Sequence, residues 1–208
     1  MREEQVFFMA GNVKLEGLYG ASSNDVGVVI AHPHPQMGGS MNNSVVDALV
    51  DGYSLNGFST LRFNFRGVSR SEGFYDNGNG EQDDLMGAVT FLQNQNKTGI
   101  VLAGYSFGAW IITNVLKRHD QFSDIVLVSP PIDYFDIDFS DLEGKIGLII
   151  CGEQDQFCNL TKLKGFTDGI ASKLDVVHEA DHFYWGREGQ IVAKIGNYLA
   201  AGLKDKFI

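Results

Sequence analysis

Basic residues are scarce in this sequence of 208 residues. Sixteen Lys and Arg stand against 26 Asp and Glu, which gives a formal net charge of −10 at pH 7. A nucleic-acid partner requires a basic face that neutralises phosphates, and an anionic membrane attracts clusters of basic residues. The composition therefore argues against a nucleic-acid partner and against docking on a membrane.

Cysteine and long apolar runs are also scarce. Cys151 and Cys158 are too few for a disulfide framework and form no Cys-x-x-Cys motif, so we expect two reduced thiols. The first residues, Met-Arg-Glu-Glu-Gln, carry two acids where a signal peptide has basic residues. No apolar run approaches the roughly 18 residues of a membrane-spanning helix. We therefore expect a soluble, cytoplasmic protein.

The apolar pattern predicts a β-hairpin followed by alternating strands and helices. The hairpin covers residues 5–10 and 13–19 around Gly11-Asn12. Further strands are predicted at 26–31, 58–65, 100–103, 125–128, 146–151 and 174–178, and helices at 42–55, 81–94, 107–116, 160–171 and 188–203. Such alternation builds a mostly parallel sheet with helices on both faces. We predict one α/β domain over residues 1–208.

The strongest local motif is Gly-Tyr-Ser-Phe-Gly at residues 104–108. It follows the predicted buried strand 100–103 and begins the predicted helix 107–116, which is the setting of a nucleophile elbow. The helix dipole there favours a developing negative charge. Ser106 is therefore the candidate nucleophile, and the alternative is an ordinary turn with a capping serine.

Two other candidate nucleophiles fit their surroundings less well. Residues 67–71, Gly-Val-Ser-Arg-Ser, follow a strand but continue as a polar loop, which predicts a solvent-facing turn around Ser69. Cys151 closes a predicted strand without an elbow, so a hydrolase based on this thiol is disfavoured.

A serine hydroxyl needs a general base and a carboxylate that orients the base. Among the histidines, His182 lies in the loop after the predicted strand 174–178, at the sheet edge where parallel sheets place their sites. His119 is predicted at a polar helix end, and His178 inside a strand. His182 is therefore the candidate base.

Asp155 follows the predicted strand 146–151 at the tip of a loop, and it is the candidate acid. The chain order Ser106, Asp155, His182 is that of an α/β-hydrolase triad. Asp133 and Glu153 are the alternatives for the acid, whereas Asp181 is expected to face solvent or to close a turn.

Two backbone N–H groups are needed to hold the oxyanion. One is predicted from Phe107, the residue after the nucleophile. The second is predicted from His34, because the loop reads His-Pro-His-Pro at 32–35 and proline has no N–H. Metal binding by His32 and His34 is the alternative, although no carboxylate or cysteine accompanies them at a suitable spacing.

Taken together, these motifs resemble those of serine α/β-hydrolases, in the small lidless branch related to dienelactone hydrolases and bacterial esterases. The residues are Ala-His-Pro-His-Pro at 31–35, Phe-Arg-Gly at 65–67, Ser-Glu-Gly at 71–73, Gly-Tyr-Ser-Phe-Gly at 104–108, Gly-Glu-Gln-Asp at 152–155 and Asp-His-Phe at 181–183. The resemblance implies an α/β-hydrolase fold and acyl hydrolysis through a serine, with no cofactor and no metal. Dienelactone hydrolases use a cysteine where this chain has Ser106, so the resemblance does not extend to lactone chemistry.

The segment at which larger family members insert a helical cap is short here. Only residues 129–145 separate two predicted strands, so no cap of several helices fits. Seven aromatic residues are candidates to line a shallow acyl pocket, and the alternative for most of them is packing in the core: Tyr134, Phe135, Phe139, Phe157, Phe183, Tyr184 and Trp185.

These features predict a serine hydrolase that cleaves carboxylic esters of small, soluble substrates. The alternatives are a serine peptidase or a thioesterase with the same triad, and a non-catalytic binding protein on this fold. The sequence leaves the natural substrate and the oligomeric state open, a homodimer included.

Overall fold

The strands of the chain pair into one sheet in the order β1-β2-β4-β3-β5-β6-β7-β8. The structure is a computed structural model that describes residues 2–122, 124–139, 142, 144–168 and 173–202. Its strands are β1 (Glu3–Ala10), β2 (Val13–Gly20), β3 (Val26–Ala31), β4 (Ser59–Phe63), β5 (Gly99–Tyr105), β6 (Ile125–Val128), β7 (Ile146–Gly152) and β8 (Lys173–Val177). This is the mostly parallel sheet that the alternating pattern predicts.

The predicted N-terminal hairpin is confirmed. Strands β1 and β2 pair antiparallel from Glu3 opposite Gly20 to Ala10 opposite Val13, and Gly11 takes a positive φ of 60° in the turn. Strand β2 also pairs antiparallel with β4, and the remaining pairs are parallel. The carboxyl ends of β3 to β8 therefore meet at one edge of the sheet.

Helices cover both faces of the sheet. They are α1 (Ser44–Ser54), α2 (Gly80–Asn94), α3 (Phe107–Leu116), α4 (Leu160–Thr167) and α5 (Glu188–Gly202). Helices α1 and α5 share one apolar core with the sheet, and α2, α3 and α4 share the other. Among the described residues, no helix has the length and apolar character needed to cross a lipid bilayer.

Strand β3 shows why the central strands are continuous apolar runs. Val28 and Ile30 face the core of α1 and α5, whereas Val29 and Ala31 face the opposite core. All four are fully buried. A strand that is covered on both faces needs apolar residues at every position, and the sequence 26–31 meets that requirement.

Most predicted boundaries agree with the structure to within two residues. One prediction about a site residue is wrong: His178 lies one residue beyond β8, in a turn, and its side chain is 81% exposed. Helix α4 ends at Thr167, whereas the prediction extended to residue 171; residues 169–171 and residue 203 lie outside the described part of the chain. The described residues between β6 and β7 form no cap.

The loop between β4 and α2 is anchored to α2 by buried charges. Asp84 is fully buried and accepts from the Arg66 backbone N–H at 2.9 Å and from the Arg66 guanidinium Nη2 at 2.8 Å. Buried Glu81 accepts from the N–H groups of Asp76 and Gly78, both at 2.8 Å. These bonds fix the course of a loop that has no strand or helix of its own.

Replacing Asp84 by Ala should destabilise the protein. The Arg66 side chain is only 13% exposed, so the variant leaves a largely buried cation without its partner, a change that costs about 3–5 kcal/mol in other proteins. The free energy of unfolding from urea titration measures the effect. Asp83→Ala is the control, since Asp83 is the exposed neighbour on the same helix. Equal losses in the two variants would contradict a special role for the ion pair.

Candidate active site

Ser106 lies in a strained turn between β5 and α3. Its φ is 53° and its ψ is −116°, a conformation that residues with a side chain rarely adopt. The Ser106 N–H donates to the carbonyl of Val128 on the neighbouring strand β6 at 2.9 Å. The strand–turn–helix setting predicted for residues 104–108 is therefore confirmed.

Both glycines of the motif are required by packing. A Cβ atom at Gly104 would lie 2.6 Å from the carbonyl carbon of Gly108, and one at Gly108 would lie 2.3 Å from the carbonyl oxygen of Ala31. Such distances are far inside van der Waals contact, so the backbones of β3, β5 and α3 approach this closely only with glycine at both positions.

A chain of hydrogen bonds connects Ser106 with the predicted base and acid. His182 Nε2 is 2.9 Å from Ser106 Oγ, and His182 Nδ1 is 2.9 Å from each carboxylate oxygen of Asp155. All three residues are buried. Because a carboxylate only accepts, Nδ1 carries the proton and Nε2 is left to accept from the serine hydroxyl.

The Asp155 carboxylate is fixed from two sides. Besides contacting His182, its Oδ1 accepts from the backbone N–H groups of Phe157 at 2.8 Å and Cys158 at 3.1 Å. The backbone N–H groups of the turn after β7 thus orient the carboxylate, and the same hydrogen bonds stabilise that turn.

His182 is held through its backbone as well as its ring. The hydroxyl of Tyr105 donates to the His182 carbonyl at 2.8 Å, and burial raises the pKa of Tyr105, which keeps this donor protonated. Asp181 Oδ1 accepts from the N–H groups of Phe183 at 2.9 Å and Tyr184 at 3.1 Å. Asp181 therefore closes the turn, as one of its two predicted roles requires.

The other candidates for the acid and the nucleophile do not contact His182. Asp133 accepts from the Asn159 N–H at 2.8 Å and pairs with Lys162 at 3.3 Å. Glu153 accepts from the Glu179 N–H at 3.1 Å and lies 3.4 Å from the ring of exposed His178. Ser69 is exposed in a turn, as predicted. The structure therefore brings Asp155, and neither alternative acid, into contact with His182.

The ring of His32 supports the loop after β3. Its Nδ1 donates to the Pro33 carbonyl at 2.6 Å, and its Nε2 accepts from the Phe65 N–H at 3.1 Å. The ring is fully buried, and burial lowers the pKa of His32 to about 4. His32 is therefore neutral at pH 7, and both ring nitrogens have protein partners.

His34 uses its ring and its carbonyl to shape the same loop. Ring Nδ1 accepts from the Gln36 N–H at 3.2 Å, Nε2 is 3.3 Å from the Tyr75 hydroxyl, and the carbonyl accepts from Met37 and Gly39. Burial lowers the pKa of His34. The backbone N–H groups of His34 and Phe107 donate to no residue that the structure describes.

Ser106, His34, Phe107 and His182 line one cavity of about 550 Å³, which is a usual size for a small-molecule site. The cavity is lined by Pro33, His34, Met37, Gly38, Gly39, Asn43, Tyr105, Ser106, Phe107, Pro131, Tyr134, Phe135, Phe157, His182, Phe183 and Trp185. Met37, Asn43 and Pro131 were not predicted from the sequence. Their position in loops at the carboxyl edge of the sheet was the feature of the sequence that could have identified them as cavity residues.

Five of the seven predicted aromatic residues line this cavity, and two do not. Phe139 is buried and stacks on Phe166 with ring centroids 5.2 Å apart. Tyr184 is fully buried, and its hydroxyl is 2.6 Å from Ser129 Oγ. Phe139 and Tyr184 therefore do not line the cavity, and the alternative of packing in the core holds for both.

Both cysteines are free thiols in the structure, as predicted, and both are buried. Cys151 Sγ lies 3.7 Å from the Cys158 carbonyl oxygen. The hydrogen bond with Cys151, together with burial, raises the pKa of the Cys158 thiol. The Cys158 thiol therefore lacks the low pKa of a reactive cysteine.

Residues 27–143 match the model of a family described as serine aminopeptidase S33. The matched segment contains Ser106, Phe107 and His34 and ends before Asp155 and His182. The chain is also 32% identical to an uncharacterised protein of Rickettsia prowazekii, over 94% of this chain and 88% of the relative.

Solved structures of two other bacterial proteins are similar. An α/β serine hydrolase homologue from Coxiella burnetii is 33% identical with a TM-score of 0.86, covering 96% of this chain and 98% of the other. An α/β serine hydrolase without a lid from Xanthomonas campestris is 25% identical with a TM-score of 0.85, covering 96% and 94%.

The burial of His32 predicts a pH dependence of stability. Its pKa rises from about 4 in the folded state to 6.5 on unfolding. The unfolded chain therefore binds the proton more tightly, and acid favours unfolding. Lowering the pH from 7 to 4 should reduce the free energy of unfolding by about 3 kcal/mol through this residue alone.

Urea titrations of the wild type and of His32→Asn across this pH range measure the effect. In His32→Asn the free energy of unfolding should fall by about 3 kcal/mol less between pH 7 and pH 4, because the variant has no imidazole to protonate at this position. His178→Asn is the control and should keep the decline, since His32 is retained. Parallel curves for the wild type and His32→Asn would contradict the expectation.

Proposed function

The chain belongs to the serine α/β-hydrolases, within the family described as serine aminopeptidase S33, and from this premise we propose that it hydrolyses carboxylic esters of small substrates through an acyl-enzyme on Ser106. The observation that carries the proposal is the hydrogen-bonded chain Asp155–His182–Ser106, with every contact at 2.9 Å. A serine in an elbow and hydrogen-bonded to an oriented imidazole is the arrangement of an activated nucleophile.

In the proposed acylation step, Ser106 Oγ attacks the ester carbonyl carbon while His182 Nε2 takes the hydroxyl proton. Asp155 stabilises the imidazolium that forms. The tetrahedral intermediate then collapses: the bond to the alcohol oxygen breaks, and His182 returns the proton to the departing alcohol. A water molecule, activated by the same imidazole, hydrolyses the acyl-enzyme and frees Ser106.

The negative charge on the carbonyl oxygen needs donors that are already in place. We assign the backbone N–H groups of Phe107 and His34 to this role. Phe107 is the first residue of α3, so its N–H is one of the groups that a helix leaves without an internal partner. Both residues line the cavity next to Ser106, and both N–H groups lack a partner among the described residues.

The lining of the cavity favours a neutral ester. Its described residues are aromatic, aliphatic or small, apart from Asn43 and the two histidines. An aminopeptidase binds a peptide by its free N-terminus, whose α-ammonium is charged. A neutral ester instead loses little hydration on entering an apolar pocket. A peptidase and a thioesterase are tested by amide and thioester substrates alongside the esters.

Replacing Ser106 by Ala should abolish hydrolysis of short-chain p-nitrophenyl esters, with kcat falling on the order of 10⁴-fold or more. The variant should also lose labelling by a fluorophosphonate probe, while its Tm stays close to that of the wild type. Ser69→Ala is the control, because exposed Ser69 should be dispensable. Labelling of the Ser106→Ala variant would overturn the assignment, and an unlabelled wild type would indicate a non-catalytic binding protein.

Two substitutions of His34 distinguish the contribution of its backbone N–H to kcat from that of its ring. The φ of His34 is −54°, which proline adopts without strain. His34→Pro therefore removes the N–H while keeping the backbone, and loss of one oxyanion donor costs about 10² to 10³ in kcat. His34→Ala also removes the ring but keeps the N–H, so its kcat should fall less than about tenfold by the same comparison.

Ester kinetics of both variants give this comparison, together with melting curves that establish folding. A folded His34→Pro enzyme with normal kcat would show that the second donor is another group. An inactive, folded His34→Ala enzyme would assign the role to the ring instead.

A further inference from the structure

The proposed mechanism determines on which side of the site the alcohol leaves. His182 Nε2 gives its proton to the alcohol oxygen, so the two atoms must approach within about 2.6–3.2 Å. Nε2 is also the atom that lies 2.9 Å from Ser106 Oγ. The carbon attached to the leaving oxygen therefore has to pass beside the His182 ring. This step rests on the proposed function.

Aromatic rings stand beside the imidazole at this point. The ring of Phe157 lies 4.6 Å from that of His182, and the ring of Phe183 lies 5.7 Å from it. Tyr134 extends the surface from Phe157 at 4.9 Å, and Trp185 extends it from Phe183 at 5.9 Å. We call these four residues, Tyr134, Phe157, Phe183 and Trp185, the aromatic wall.

The aromatic wall is unusually open to solvent for apolar side chains. Tyr134 is 67% exposed, Phe183 43% and Trp185 80%. All four residues of the wall line the cavity that contains Ser106. Exposed apolar side chains grouped at one cavity mark a binding surface, whereas exposed single residues need no explanation.

Backbone hydrogen bonds fix the two turns that carry Phe157 and Phe183. The Phe157 N–H donates to Asp155 Oδ1 at 2.8 Å, and the Phe183 N–H donates to Asp181 Oδ1 at 2.9 Å. The Asp155 carboxylate that orients His182 therefore also positions a ring of the wall. These bonds fix the backbone of both turns, so binding a ligand does not carry the cost of ordering the two loops.

We propose that the aromatic wall binds the leaving alcohol and that the preferred substrates are esters of aromatic alcohols. A flat ring gains from offset or edge contacts with other rings beyond the burial of its apolar surface. The spacings within the wall, 4.9–6.4 Å between centroids, lie in the range of such contacts. An aliphatic alcohol of equal size gains only the burial.

Acetate esters that differ only in their alcohol test this proposal. Ethyl, cyclohexylmethyl, benzyl and 2-naphthylmethyl acetates all form the same acetyl-enzyme. The alcohol therefore affects kcat/KM, which reports acylation, and has no effect on hydrolysis of the acetyl-enzyme. After correction for alkaline hydrolysis rates, we expect kcat/KM to be higher for benzyl than for cyclohexylmethyl acetate and highest for the naphthylmethyl ester.

Two variants locate this preference on the wall. Phe183→Ala and Trp185→Ala should each lower the ratio of kcat/KM for benzyl acetate to that for ethyl acetate about three- to tenfold. The rate of acetyl-enzyme hydrolysis, measured after a burst with p-nitrophenyl acetate, separates lost alcohol binding from damage to His182. Phe74→Ala is the matched control, because Phe74 is 88% exposed and does not line the cavity. Its ratio should equal that of the wild type.

Three results would overturn the proposal in distinguishable ways. Equal corrected kcat/KM values for the cyclohexylmethyl and benzyl esters would remove the aromatic preference. A Phe183→Ala variant that slows every ester and acetyl-enzyme hydrolysis by one factor would show that the wall acts on His182 and does not bind the alcohol. A wild type that hydrolyses no acetate and resists the fluorophosphonate probe would refute the proposed function itself.

Discussion

The site depends on one close approach between backbones, at the point where α3 leaves β5. Gly108 lies so near the carbonyl of Ala31 that a Cβ atom there would be only 2.3 Å from its oxygen. This contact places the start of α3 against the end of β3, directly after the strained turn at Ser106, whose φ is 53°. The loop after β3, which contains His34, lies next to the N-terminus of α3, so Ser106 and the two residues proposed as oxyanion donors, His34 and Phe107, line one cavity.

Much of this arrangement could be predicted from the sequence because its determinants are local. Residues 26–31 and 125–128 are continuous apolar runs. Such runs indicate strands that are buried on both faces, as in a parallel sheet. In a parallel sheet the carboxyl ends of the strands meet, so residues that follow different strands become neighbours. Ser106, Asp155 and His182 each follow a strand of this sheet, so the elbow motif, these positions and the chain order together predicted that they lie close to one another.

The misplaced residues are those whose position depends on tertiary packing. Phe139 and Tyr184 occur in loops just as Phe157 and Phe183 do, and no pattern distinguishes a ring that packs on Phe166 from one that faces the cavity. His178 differs from its predicted place by one residue, because β8 ends where its pairing with Gly152 ends. Such differences depend on contacts between segments that are distant in the sequence, and the apolar periodicity of the sequence does not predict these contacts.

The described residues form no cap, and the sides of the cavity come from loops that short-range bonds fix. Asp155 holds the turn with Phe157, Asp181 holds the turn with Phe183, and the His34 carbonyl accepts from both Met37 and Gly39. Each wall is therefore ordered by its own loop and needs no closing lid. An aromatic substitution in one of these turns changes the shape of the cavity without disturbing the strands beneath. The bonds from Asp155 and Asp181 are made by the backbone N–H groups of Phe157 and Phe183, so the side chains at these two positions can change while the bonds that hold the turns remain.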